Sequence, residues 1–205
     1  MDDTLTGLFC LVDDFCQSFF LSWNRHLLDN GLKKRNRTSQ LSASEIMTLY
    51  IHFHQSHYRD FKNYYIYHVQ KHLYTLFPNL VCYHRFVALI KSHIIPLCVF
   101  LQSITGEKTG IYFIDSMLIK ACHIKREKQN KVFKGLAKKG KSTIGWFYGF
   151  KLHLIVNDKG ELIAFKLTAG NVDDREPVLD LTRELIGKLI GDKGYISQKL
   201  TDDLF

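Results

Sequence analysis

From Leu5 to Leu28 the apolar residues Leu5, Leu8, Phe9, Val12, Phe15, Cys16, Phe19, Phe20, Trp23 and Leu27 recur at helical spacing, while Asp13, Asp14 and Gln17 take another face. That period predicts an amphipathic helix. The polar stretch that follows contains Gly31 and the basic residues Lys33, Lys34, Arg35 and Arg37, and reads as an exposed connection. "LSASEIMTLYIHFH" then places Ser42 and Glu45 at capping-box spacing ahead of an apolar run, a helix start. Two more helical stretches are predicted, from about 60 to 76 and from about 83 to 103, parted by Pro78.

After "TGEKTG" the period changes. "IYFID", "FKLHLIVN" and "LIAFKLTAG" are short runs rich in β-branched and aromatic residues, bounded by turns, and predict strands. "NDKG", Asn157 to Gly160, makes the last two antiparallel neighbours. Val178, Leu179, Leu181 and Leu185 then mark a helix, followed by a short strand ahead of Asp192 and an incipient helix. The order is strand, basic insertion, strand, strand, helix, strand, helix start. The fold class is therefore α+β: a helical region over 1–105 and a mixed-sheet region over 106–205.

Lys and Arg outnumber Asp and Glu by 28 to 20, giving a formal charge of +8 that favours polyanionic partners. The five cysteines are odd in number, dispersed and without a CxxC pair, so neither a disulfide framework nor a structural zinc site is indicated. The start is acidic where a signal peptide is basic, and the most apolar later run is broken by Lys91, His93 and Pro96. A cytoplasmic chain with no membrane partner is expected. His52, His54 and His57 do not share one helical face, which argues against a zinc site there.

Asp115 ends one apolar strand and Asp192 ends another, so two carboxylates hold equivalent positions at strand tips. Each, taken alone, reads first as a turn residue or helix cap. Brought together, they would repel unless a cation sat between them, and aspartate oxygens are hard ligands suited to magnesium. Paired metal-bound carboxylates are the chemistry of phosphoryl transfer.

"FIDSM" at 113–117, "GFKLHLIVNDKGELIAFKLTAGNVDDREP" at 149–177 and "LIGDKGYIS" at 189–197 together resemble the successive blocks of an insertion-sequence DDE transposase. The closest likeness is to the insertion sequence nine-eight-two family, and "LSASEIMTLY" resembles that family's N-terminal region. The resemblance implies a ribonuclease-H-like catalytic domain, a two-metal site holding Mg2+ or Mn2+, and attack on a phosphodiester by water and then by a DNA 3′-hydroxyl. It implies Asp115 and Asp192 as the first two acidic ligands. The third, a glutamate, falls in the family well beyond the second; after Asp192 only Asp202 and Asp203 are acidic. An incomplete domain, inactive alone, is thus expected. An apolar sheet flank and self-association are expected with it.

The insertion after the first strand carries Lys125, Arg126, Lys128, Lys131, Lys134, Lys138, Lys139 and Lys141 against the single acid Glu127. Such density reads as a DNA phosphate grip or as a solvated loop. Lys151 and His153 share one strand face and are candidates to support the acids. Asn171, Asp173 and Asp174 read as caps of the following helix, with Asn171 and Asp174 also candidate supports through the family block. The helical region reads either as a reader of the element's terminal inverted repeats or as an assembly module, with Lys33, Lys34, Arg35 and Arg37 on phosphates. The leading expectation is a transposase of a bacterial mobile element, nucleoid-associated and homo-oligomeric, acting on element ends and target DNA. Its alternatives are a catalytically dead DNA-binding derivative and a nuclease of the same fold.

Overall fold

The computed structural model describes residues 3–31, 35, 39–143 and 145–204. Of the basic connection, Arg35 is described and exposed, while Lys33, Lys34 and Arg37 lie outside the described residues. The chain forms two compact units, Met1–Ser103 and Ile104–Phe205.

The first unit is helical. Helix α1 spans Asp3–Asp29 and α2 spans Ala43–Gln55. Ser42 and Glu45 close the capping box at the start of α2, each side chain bonded to the other's backbone N–H. Helix α3 runs over 61–72; its middle, Tyr64–Val69, is a π-helix, and Asp60 caps its first turn. Helix α4 spans Tyr83–Ser103 and continues through Pro96. Of the stripe predicted on α1, Leu5, Val12 and Cys16 are buried and the rest half-buried; Val12 and Cys16 pack with Met47 of α2 and Phe100 of α4. A second core gathers Leu41, Ile46, Leu49, Tyr64, Tyr65 and Phe86. The buried phenols keep partners, Tyr65 donating to the Val81 carbonyl and Tyr64 pairing with His52 Nδ1. By length and composition alone, the segments Thr4–Asp29 and Tyr83–Ser103 are long and apolar enough to cross a membrane. Here their apolar sides meet in a shared core.

The second unit is a mixed sheet with helices on one face. Strand β1 spans Ile111–Cys122, β2 Lys138–Ser142, β3 Gly145–Asn157, β4 Leu162–Ala169 and β5 Lys188–Ile190. Helices α5, Val178–Thr182, and α6, Gln198–Leu204, complete it. Strand β3 is the spine: one edge pairs antiparallel with β1, and the other is shared, β2 taking Gly145–Gly149 and β4 the stretch from Phe150 onward. Strand β5 pairs parallel with the outer edge of β1.

The sequence pattern did not predict β2. "KKGKS" carries three lysines in five residues because it is an edge strand whose lysines stay in water, a common guard against edge-to-edge association. Strand β1 also runs well past its predicted end at Asp115, through the mostly apolar stretch Ser116–Cys122.

Alternation sorts the sheet's two faces. Tyr112 and Ile114 of β1 and Ile155 of β3 form the core with Val178, Leu181, Tyr195 and Leu200. The opposite face carries Phe113, Met117, Ile119 and Leu167, all exposed, together with Asp115.

Glycines permit the crowding where β2 gives way to β4. A β-carbon on Gly149 would lie 2.0 Å from the Ile119 carbonyl oxygen, and one on Gly140 would lie 2.0 Å from that of Gly170. Both obstacles are backbone, which cannot rotate away. Gly149→Ala is therefore expected to cost about 3 kcal/mol, the upper range for a single substitution. The denaturant midpoint of the purified chain checks this; an unchanged midpoint would contradict it.

Candidate active site

The site begins with two glycines that let the parallel strands meet. Gly187 and Gly110 both take positive φ, and a β-carbon on Gly187 would lie 2.1 Å from the Gly110 carbonyl oxygen. From that contact Lys188 N–H donates to the Gly110 carbonyl at 2.8 Å, and the register runs Ile111 with Lys188, Tyr112 with Leu189, Phe113 with Ile190. The ladder ends there, and Asp115 and Asp192 each lie two residues beyond its last pair. Gly191 stays close to β1, since a β-carbon there would come within 3.0 Å of Ile114 Cγ2.

Each aspartate is exposed and has one oxygen engaged by backbone. Asp115 Oδ1 accepts from the Ser116 N–H at 2.7 Å, and Asp192 Oδ1 accepts from the Gly194 N–H at 2.8 Å, capping the short 3-10 turn Lys193–Tyr195. The capping role anticipated for such a residue thus holds at Asp192. It leaves the second oxygen of each carboxylate for other use.

A polar cluster lies on the helix-covered side of the sheet. Lys151, only 9 % exposed, places Nζ 3.1 Å from Asp174 Oδ1 and donates to the Val172 carbonyl at 2.9 Å. His153 is fully buried; its Nε2 pairs with Thr168 Oγ1 at 2.8 Å and its Nδ1 lies 3.9 Å from Asp174 Oδ1. Burial pushes the His153 pKa down, more than the Asp174 carboxylate raises it, with Lys151 and Lys166 lowering it further. His153 sits opposite Ser116 and Lys151 opposite Leu118, so both lie on the buried face of the sheet while the Asp115 side chain takes the exposed one, contrary to the expectation that they face the acid.

The loop after β4 departs from the capping expectation. Helix α5 starts late, at Val178, because Pro177 takes its N-cap position and no side chain caps it. Asp173 instead grips Arg175 through two 2.8 Å contacts, which hold its carboxyl well below the usual range. Asp174 turns inward to Lys151, while Asn171 is exposed and joins none of these contacts. Of the four candidate supports, the structure therefore gathers Lys151, His153 and Asp174.

Sequence reasoning missed Tyr195. It is buried against Ile114 and Leu200, and burial, together with the carboxylates of Asp174, Asp115 and Asp192, pushes its phenol up to about 12 even though Ser116 pulls the other way. The only signal was an aromatic residue three positions after Asp192, indistinguishable in sequence from ordinary core.

All eight basic candidates, Lys125, Arg126, Lys128, Lys131, Lys134, Lys138, Lys139 and Lys141, are exposed on the 3-10 segment Ile124–Gln129, the loop after it and β2. Glu127 engages Lys139 at 3.5 Å, and Lys141 Nζ stands 6.0 Å over the ring of Trp146, itself 60 % exposed. Lys138 pairs across to Gly149 and Gly149 to Lys120. The patch therefore begins about 17 Å along the ladder from Asp115.

Aspartate carboxylates are hard ligands of the kind a small divalent cation takes, its remaining positions commonly filled by water and phosphate oxygens. Among the described residues no three His, Cys, Asp or Glu side chains stand together to hold a metal ion, so the donor set here is the pair.

Residues 105–205, almost the whole of the second unit, match the family model described as the transposase DDE domain. No curated protein and no solved structure matches the chain.

The buried neutral His153 generates a pH expectation. Its folded pKa lies below that of the unfolded chain, so the unfolded state binds the proton first as pH falls. The stability that His153 contributes is complete above about pH 6.5 and is lost on acidification below it. Denaturant midpoints from pH 7.5 to 5 should show a wild-type decline that is shallower in His153→Gln; identical slopes would contradict the assignment.

Proposed function

We propose, from the premise that residues 105–205 form a transposase DDE domain, that this chain acts in DNA transposition through metal-dependent phosphodiester chemistry at Asp115 and Asp192. The observation that supports this reading most is the parallel pairing of β1 with β5, the two strands that lead to Asp115 and Asp192. Their outward oxygens would hold a Mg2+ or Mn2+ ion. Such an ion, when bound, polarises the phosphodiester and readies a water or a 3′-hydroxyl for attack.

The chain's own groups do the rest. Asp192 is fixed by the Gly194 N–H and Asp115 by the Ser116 N–H, so neither has to be ordered when DNA arrives. Lys151 and Asp174 neutralise each other behind the pair, and His153, held neutral, adds no positive charge that would compete with a cation. The eight exposed basic residues grip the DNA backbone without reading its sequence. The helical unit recognises the element's terminal repeats or assembles copies of the chain. Membership of the insertion sequence nine-eight-two family, a homo-oligomeric state and action in the bacterial cytoplasm belong to this same reading.

A second reading is favoured by one observation. The described residues offer two carboxylates rather than three, enough for one cation but not for a two-metal clamp. Weak cleavage by this chain alone, or DNA binding without cleavage, follows from that.

One experiment separates the two readings. With Mn2+ and DNA carrying the element's ends, slow nicking by the wild type that disappears in Asp115→Ala and Asp192→Ala, with DNA affinity retained, supports the transposase reading. Binding without nicking leaves the DNA-binding derivative. Replacing Lys138, Lys139 and Lys141 with Gln should lower the slope of log affinity against log salt by about 1 for each phosphate left without its lysine. An unchanged slope would remove the basic patch from the DNA path.

A further inference from the structure

Trp146 is 60 % exposed, although an indole is among the side chains with most to gain from burial. It stands on β3 beside the edge strand β2, where lysines guard against association and an exposed ring works the other way. Its cross-strand partner is Lys141, whose Nζ stands 6.0 Å over the ring, and the next residue on that face of β2 is Lys139. No acidic residue occurs between Glu127 and Asp158, and Glu127 itself pairs with Lys139 at 3.5 Å. Lysine is depleted from the cores of protein interfaces, so a ring set among lysines is poorly placed as a protein anchor. It is complementary to something both flat and anionic.

Alternation sets which way the ring faces. Leu154 lies opposite Asp115, and Phe150, Tyr148 and Trp146 follow it at even spacing along β3, so all take the open face of the sheet with that aspartate. The basic loop is fastened to the same face: Phe133 meets Phe150 edge-on at 5.5 Å, and the Tyr148 hydroxyl donates to the Phe133 carbonyl at 3.4 Å. Trp146 is eight residues along β3 from Leu154, about 27 Å of strand. The ring is therefore too far from Asp115 to touch a phosphodiester reacting there, and any role it has is in holding DNA.

We propose that Trp146 is a stacking platform for an unpaired base of DNA: the base lies on the indole while Lys139 and Lys141 hold the flanking phosphates. Aromatic rings beside basic side chains bind single strands in this way, because every base has a flat face whatever its identity. Inside a duplex each base is already stacked on both faces, so the ring engages a single strand or a frayed end. This inference rests on the reading of the basic insertion as a DNA grip and deepens it by naming the state of the DNA it takes.

The chain's other tryptophan is Trp23, so the full chain carrying Trp23→Phe reports on Trp146 alone by fluorescence. It is titrated with oligothymidylate, with an abasic oligonucleotide of the same length and with a duplex, and affinities for the same three are measured for wild type, Trp146→Ala and Trp146→Phe. Oligothymidylate should quench the indole, and the abasic strand and the duplex should bind with little quenching. Trp146→Ala should weaken oligothymidylate binding roughly tenfold and leave the abasic strand unaffected, while Trp146→Phe keeps most of the affinity. Unaltered oligothymidylate affinity in Trp146→Ala, or quenching by the abasic strand or the duplex as strong as by oligothymidylate, overturns the proposal. So does an equal loss for all three DNAs in Trp146→Ala, the pattern of a disturbed fold rather than a lost stack. If wild type binds none of the three, the DNA-grip reading itself falls, an outcome distinct from failure at Trp146 alone.

Discussion

The site depends on one backbone contact, the parallel pairing of β1 with β5 begun where Gly110 and Gly187 touch. A short parallel pair is a weak element by itself. Its ladder covers Ile111 to Phe113 on one side and Lys188 to Ile190 on the other. It holds because β1 is clamped along its other edge by the long antiparallel ladder to β3, and because Tyr112 and Ile114 are buried under α5, α6 and Tyr195. A slip of one residue would turn Tyr112 and Ile114 to the open face and shift Asp115 against Asp192 at once. The burial that stabilises this unit thus also sets its candidate chemistry.

Charge is arranged in two zones of that unit with different physics. Along the insertion and β2 the lysines and Arg126 stay in water, where they can attract a polyanion and where single ion pairs such as Lys139–Glu127 contribute little. Behind the aspartates the few charges are paired or neutralised: Lys151 with Asp174, His153 kept uncharged by burial. A buried lysine left without Asp174 would be costly, which ties the loop after β4 to the strand that presents His153. The loop is short of regular structure but firmly tethered.

Much of this was legible in the sequence. The stripe on α1, the Ser42–Glu45 cap, the break at Pro78, the strand runs and the hairpin at Asn157–Gly160 are local signals, and each is found in the structure. Asp115 and Asp192 stood out because each ends an apolar run, and the pairing of β1 with β5 brings those ends together. What stayed hidden was non-local. Strand β2 has no hydrophobic pattern because both its position at an edge and its lysines keep it solvated. Asp173 and Asp174 looked like caps, but Pro177 displaced the helix start and freed them for Arg175 and Lys151. Tyr195 carries no mark in sequence, since its burial becomes visible only once the sheet, the turn and α6 enclose it.

The central claim is that Asp115 and Asp192 share one divalent cation. A crystal of the chain soaked in Mn2+ and measured near the manganese absorption edge tests it directly. One anomalous peak is predicted within coordinating distance of both carboxylates, about 2.2 Å from an oxygen of each. Manganese bound elsewhere with none between these two aspartates, or no bound manganese at all, would contradict it.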